Sequence, residues 1–279
     1  MNQIDMDIEK NDIIEIYIPC YNSIFCVENQ IKTLSKFCMD KHKLIILDSN
    51  CGEHPDVSKK IKQICYANNT ELIILPDYLP QNINKNDISK ILGTKLNYIF
   101  HNIIKIRKPK YFGFLDQDFF AYRPFSVKQH LDEFNMYGDV MEHDQYKSTD
   151  INNLTDGLFV LHPWLSFYKF AFVENENMNW LPCANFDTGG CNSDIIAKKQ
   201  CIKKNYWMRD NSRNINIISD NTNNTNNESF FIYNNKKCYT MVQFYNNTFI
   251  HMINSSILDD ALHPKTMWCH GFLYSILNL

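Results

Sequence analysis

Along the first 120 residues, short apolar runs alternate with stretches in which apolar side chains recur every three or four positions. The runs are Ile13–Ile18 (IIEIYI), Leu44–Leu47 (LIIL), Leu72–Leu75 (LIIL) and Tyr111–Leu115 (YFGFL). Each is short and rich in β-branched or aromatic residues, the pattern of strands buried on both faces of a parallel sheet. Between them, Val27, Ile31, Leu34 and Phe37 fall on one face of a helix; so do Val57, Ile61, Ile64 and Cys65, and then Ile88, Ile91, Leu92, Leu96, Ile99 and Ile103. His54-Pro55 suits a helix start, where proline's missing N–H costs nothing, and Asp87 is placed to cap the third helix. Parallel strands need crossovers of about a dozen residues or more, usually helical. The alternation therefore predicts an α/β fold: an open, mainly parallel sheet with helices on both faces.

Ligands of such sheets gather at the carboxyl ends of the strands, so the residues there decide the chemistry. The first run leads into Pro19-Cys20-Tyr21-Asn22-Ser23, the second into Asp48-Ser49-Asn50, the third into Pro76-Asp77-Tyr78 and the fourth into Asp116-Gln117-Asp118. Neither glycine-rich phosphate cradle, G-x-G-x-x-G or G-x-x-x-x-G-K-[ST], occurs, and the chain has only 8 glycines. A nucleotide held here needs its phosphates neutralised by other means, and a divalent cation on carboxylates is the simplest. Asp116 and Asp118 fit that task, because residues i and i+2 of an extended segment project to the same side. Spacing alone is weak evidence, since Asp5-Met6-Asp7 repeats it in a polar tail. The second copy is distinguished by its place, directly after the most apolar strand and before Phe119-Phe120.

Composition narrows the partners. With 28 Lys+Arg against 31 Asp+Glu the formal charge is −3, and no run of one sign invites nucleic acid or an anionic membrane. The 10 cysteines are scattered from Cys20 to Cys269 without a C-x-x-C pair, and the polar start lacks the apolar core of a signal peptide. Reduced, mostly buried thiols in a cytoplasmic protein without a transmembrane segment are expected. Abundant Asn and Ile suggest an AT-rich genome, which makes the several N-x-S/T triplets chance occurrences.

The order I-Y-I-P-C-Y-N (Ile16 to Asn22), I-I-L-D-S-N (Ile45 to Asn50), G-T-K-L-N-Y (Gly93 to Tyr98) and Y-F-G-F-L-D-Q-D (Tyr111 to Asp118) resembles the nucleotide-sugar-binding half of GT-A glycosyltransferases, closest to family 2. The resemblance covers about the first 125 residues. It implies that Pro19, Tyr21 and Asn22 line the nucleotide pocket with Asn50, that Asp48 accepts a hydrogen bond from the base, and that Lys95 and Asn97 stand where the family has a basic residue and an Asn. It further implies that Asp116 meets ribose or metal and Asp118 binds Mn²⁺ or Mg²⁺. Gln117 departs from the small polar residue common at that position and is counted with the donor site. The expected reaction moves a sugar from a nucleoside diphosphate, UDP ahead of GDP, to a hydroxyl on a glycan, protein or lipid-linked acceptor. Rival readings are a non-catalytic sugar- or protein-binding descendant and a sugar-phosphate nucleotidyltransferase, although the glycine-rich basic loop of the latter is absent after Ile18.

The remainder reads less clearly. One domain over 1–279 is expected, with a nucleotide half at 12–125 and an acceptor-side half at 126–279 that includes an Asn-rich loop near 211–235. The aromatic stretch Leu158–Val173 reads either as core or as a platform for an acceptor sugar, with Trp164 and Trp180 the residues of interest. Asp187, in Phe186-Asp187-Thr188-Gly189-Gly190, is the candidate general base; a helix cap or glycine turn is the competing role, and Asp144 is a weaker substitute. The resemblance makes His251, at the end of a short apolar run, the candidate third metal ligand, with His263 and His270 as alternatives. Oligomeric state is not readable.

Overall fold

The structure, a computed structural model, describes residues 12–49, 52–76, 87–142, 159–183, 186–193, 195, 209–210, 230–233, 236–239, 242–245, 248–252 and 264–278. Four strands follow the predicted runs: β1 (Ile14–Cys20), β2 (His42–Asp48), β3 (Glu71–Ile74) and β4 (Tyr111–Leu115). The helices between them are α1 (Ile24–Phe37), α2 (Pro55–Ala67) and α3 (Ile88–Ile99), which runs on through a π-helical turn at Phe100–Ile104. Each starts where its capping chemistry allows. The Ser23 hydroxyl accepts from the Cys26 N–H at 3.3 Å, Pro55 opens α2, and the Asp87 carboxylate accepts from the Lys90 N–H at 3.2 Å.

Beyond β4 come β5 (Phe119–Ala121), α4 (Val127–Glu133), β6 (Met136–Glu142) and β7 (Phe159–Lys169). Six strands form one sheet in the order β3-β2-β1-β4-β7-β6, parallel from β3 to β4, with β7 antiparallel to both its neighbours. This is the open, mainly parallel α/β sheet that the apolar pattern predicts. Two departures have physical reasons. β3 is half-buried with Ile74 51% exposed, because it is the sheet's edge strand and only one neighbour shields it. β1 runs two residues beyond its apolar stretch because Pro19 and Cys20 remain in register with Leu47 and Asp48.

The sheet's two faces carry separate cores. Ile16, Ile18, Val27, Ile31, Leu34 and Ile61 pack with Leu115 and Phe249 on one face, while Tyr17, Leu96, Phe100, Phe112, Phe114 and Trp180 pack on the other. Trp180 is fully buried, so the core reading holds for it and the platform reading does not. Gly93 lets α3 approach the chain there, since a Cβ at that position would lie 2.4 Å from the Trp180 carbonyl oxygen.

After β8 (Arg209–Asp210), β9 (Phe230–Tyr233) and β10 (Lys236–Tyr239), a second antiparallel sheet forms as β5-β12-β11-β8, with β11 at Val242–Tyr245 and β12 at Phe249–Met252. The final helix, α5 (Pro264–Leu277), packs on α1, where Lys36 Nζ donates to the carbonyls of Ile276 and Leu277 at 2.9 and 3.0 Å. A cation at a helix C-terminus meets the negative end of its dipole. Cys20, Cys26, Cys38, Cys65, Cys183, Cys191 and Cys269 form no disulfide, four of them are buried, and burial pushes the Cys38 and Cys65 thiols up to about 12 and 11. No helix among the described residues is long and apolar enough to cross a membrane.

Candidate active site

The turn between β4 and β5 is the centre of the site, and its backbone is held from several directions. The Asp116 N–H donates to the Trp164 carbonyl at 3.1 Å, and the Phe119 N–H closes the turn onto the Asp116 carbonyl at 3.2 Å. From α1, the buried Gln30 Nε2 donates to the Asp116 carbonyl at 2.7 Å and to that of Phe119 at 3.1 Å. Backbone groups held from β7, α1 and the start of β5 fix the direction in which the two carboxylates leave the chain. Gln117, between them, accepts from the Tyr21 N–H at 2.8 Å and ties the motif to the end of β1.

His251 arrives by long-range pairing. β12 runs antiparallel to β5 with His251 opposite Phe119, and the Met252 N–H donates to the Asp118 carbonyl at 2.9 Å. Its ring Nε2 stands 3.2 Å from Asp118 Oδ1, and both residues are buried. Asp116, Asp118 and His251 each present a ligand atom within 4.8 Å of the other two, the only such group of three among the described residues. His270 is elsewhere, its ring stacked on Phe25 at 4.0 Å between α1 and α5, and His263 and Asp144 lie outside the described residues.

The crowding is visible in Asp116. Its carboxyl is pushed up to about 7 by burial first and by the charge of Asp118 second; His251 opposes the rise and Asp187 adds to it. Two carboxylates and one imidazole that share so little water suit a hard or borderline divalent cation, which removes the repulsion that raises Asp116. Asp187 is exposed on the turn before Gly189, which has φ +94, and its carboxylate accepts from the Ser89 hydroxyl and from the Thr188 N–H at 2.7 Å. Its contribution to the rise at Asp116 is the smallest of the four, and Asp187 is not part of the triad. The turn geometry of the competing reading is present as well, since the Gly190 N–H donates to the Asp187 carbonyl at 2.9 Å.

The residues expected on the nucleotide side divide into two groups. Tyr21 is 45% exposed at the rim, its hydroxyl donating to Glu53 Oε2 at 2.8 Å, its ring edge-on to His54, with Lys95 Nζ 5.6 Å from its centroid. Asn22 follows in the left-handed region with φ 48, and Pro19 is half-buried in β1. Asp48 is fully buried and accepts from the Ser58 hydroxyl of α2. Asn97 is engaged within the fold: its amide donates to Asn179 Oδ1 and accepts from the Trp180 N–H, both at 2.8 Å, and clamps the segment that leads to Asp187. Asn50 lies outside the described residues. Glu53, Ser58 and Ser89 carry no expectation from the sequence, and His54 only that of a helix start; a carboxylate and an imidazole side by side after β2 were the available signal for Glu53 and His54.

The chain thus has an open α/β sheet with a candidate metal triad at the carboxyl edge of its parallel strands. Solved structures with similar folds include a mannosyltransferase, PcManGT from Pyrobaculum calidifontis, in complex with GDP-Man and Mn²⁺, at 10% identity and a TM-score of 0.37 over 59% of this chain and 46% of that one. They also include the mannosyltransferase Ktr4p from S. cerevisiae, at 12% identity and a TM-score of 0.37 over 58% and 57%. A third is glucosyl-3-phosphoglycerate synthase from Mycobacterium tuberculosis, in complex with phosphoglyceric acid, at 16% identity and a TM-score of 0.41 over 68% and 66%. The chain spans about half the length of the first two. No protein-family model matches it, and no curated protein matches its sequence.

Proposed function

We propose that the chain is a metal-dependent glycosyltransferase that moves a sugar from a nucleoside diphosphate to an acceptor hydroxyl. The observation that carries this reading is the convergence of Asp116, Asp118 and His251 within 4.8 Å at the carboxyl edge of a parallel sheet. These three residues would hold Mn²⁺ or Mg²⁺, whose charge offsets the negative charge that grows on the diphosphate as the glycosidic bond breaks. Tyr21 and Lys95 border the space on the nucleotide side, and Asp48 with Ser58 offers the polar contact for the base.

Asp187 is assigned the acceptor side. In an inverting transfer a carboxylate takes the proton of the attacking hydroxyl, and it must stand apart from the metal ligands while facing the same cleft. Asp187 stands outside the triad, its bonds from Ser89 and Thr188 both fall on one carboxylate oxygen, and its charge acts on Asp116, which supports this role.

The test is nucleotide release from a panel of UDP-, GDP- and CMP-sugars in Mn²⁺, with water as the default acceptor. Release from one donor, absent in EDTA and in Asp118→Asn, is the expected result. A wild-type protein that releases no nucleotide and binds no donor contradicts the proposal and favours a non-catalytic binding role.

A further inference from the structure

The sheet breaks its own regularity beside the metal triad. On β6, Gly138 pairs with Ser166 and Val140 pairs with Leu161, so Asp139 alone faces His162, Pro163, Trp164 and Leu165. Leu165 remains in register with Leu115 on the other side and the Trp164 carbonyl still accepts from the Asp116 N–H, so the irregularity at His162-Pro163-Trp164 is against β6. Bulges of this kind re-aim side chains and gather next to binding sites.

Here the re-aimed side chains form a fixed aromatic stack. The His162 ring lies on the Trp164 ring with centroids 3.6 Å apart and planes within 11°. The Trp164 Nε1–H donates to Oδ2 of the buried Asp139 at 2.7 Å, so the one residue opposite the bulge fixes the indole. The Trp164 centroid is 5.3 Å from that of His251, and its carbonyl holds the Asp116 N–H. Both rings remain partly open to solvent. The other end of the bulge meets the Asp187 turn: a methyl at Gly189 would lie 3.5 Å from the Leu161 carbonyl oxygen and 3.8 Å from Pro163 Cγ.

We infer that the His162–Trp164 stack is the subsite for the sugar ring being transferred. The inference rests on the transferase reading and deepens it. In that reaction the sugar is joined to the diphosphate at the metal and faces the acceptor at the base, so its ring occupies the space between Asp118–His251 and Asp187. Trp164 at one end of the bulge lies against His251, and Leu161 and Pro163 at the other lie against Gly189, two residues after Asp187. A pyranose presents a face of C–H groups that packs on an aromatic surface, and a pre-fixed indole loses little freedom when it binds. A bare nucleoside diphosphate makes no use of this surface.

The test compares Mn²⁺-dependent binding of a sugar nucleotide with that of its parent nucleoside diphosphate by calorimetry, in wild type, Trp164→Ala, His162→Ala and Asp139→Asn. Trp164→Ala should weaken the sugar nucleotide by about tenfold and leave the diphosphate within about twofold, as expected for one lost aromatic contact. His162→Ala should fall between, and it covers the case in which Trp164→Ala does not fold. Equal losses for both ligands, or none for either, overturn the subsite. Unchanged donor binding with lost transfer to an added acceptor also overturns it and moves the stack to the acceptor. If wild type binds no nucleotide with Mn²⁺, the transferase reading itself has failed and the inference falls with it.

Discussion

The two edges of the central sheet handle carboxylates in opposite ways. At the edge where the parallel strands begin, acids are matched to cations: Asp12 sits between Lys110 and Lys128 at 2.7 Å each, and Glu71 sits between Lys43, also at 2.7 Å, and Arg107. Bonds from Lys110 and then Lys128 hold the Asp12 carboxyl down at about 2, and Arg107 chiefly lowers that of Glu71. At the edge where the strands end, Asp116 and Asp118 crowd one another beside His251, and Asp116 is pushed up to about 7. Paired surface charge contributes modest stability; crowded, half-desolvated charge costs stability and creates affinity for a cation. The contrast separates the scaffold edge from the edge of the candidate site.

The strongest way to break this contrast is to remove the crowded pair. Asp116→Asn/Asp118→Asn should lower transfer by at least about 10³-fold, as expected when the groups holding the charge-stabilising cation are lost, while the far-UV spectrum is unchanged. Next in size is Asp187→Asn, expected to lower kcat by about 10²-fold or more in an inverting enzyme, with Mn²⁺-dependent donor binding retained. A retained kcat would reduce Asp187 to the cap of its glycine turn.

The sign of the Asp116 effect sharpens the comparison further. A carboxyl raised in the fold from 3.8 to about 7 favours the protonated state, so metal-free protein should gain stability as pH falls from about 7 towards 4. Asp116→Asn should stabilise metal-free protein at pH 8 by on the order of 1–2 kcal/mol in EDTA melts. Added Mn²⁺ should reverse the order, because only wild type gains from ligand binding. The smallest effect belongs to the opposite edge. Asp12, lowered from 3.8 to about 2, contributes stability that is complete above about 4 and lost as pH falls through 2. It is partly exposed and its pairs are screened, so Asp12→Asn should cost no more than about 1 kcal/mol in a denaturant melt at pH 7.

How far the sequence revealed this architecture depends on the range of the contacts. β1 to β4 and the helices between them were legible because local periodicity and caps such as Asp87 define them. The Asp116–Asp118 pair was legible because its place after a buried strand carries meaning that its spacing lacks. His251 was identified through family resemblance; what puts it there is antiparallel pairing of β12 with β5, a contact across some 130 residues that periodicity does not encode. The same holds for the bulge at Asp139, which no local pattern announces. Asn97 shows the limit of carrying a role over by position: its amide clamps Asn179 and Trp180.

The central claim is that Asp116, Asp118 and His251 bind a divalent cation that in turn holds a nucleoside diphosphate. Titration calorimetry of UDP, GDP and CMP into wild type and Asp118→Asn, with and without Mn²⁺, tests it directly. The account predicts that one nucleoside diphosphate binds wild type only with Mn²⁺ and that Asp118→Asn loses this binding. Nucleotide binding that ignores both the metal and the substitution, or no binding under any condition, would contradict it.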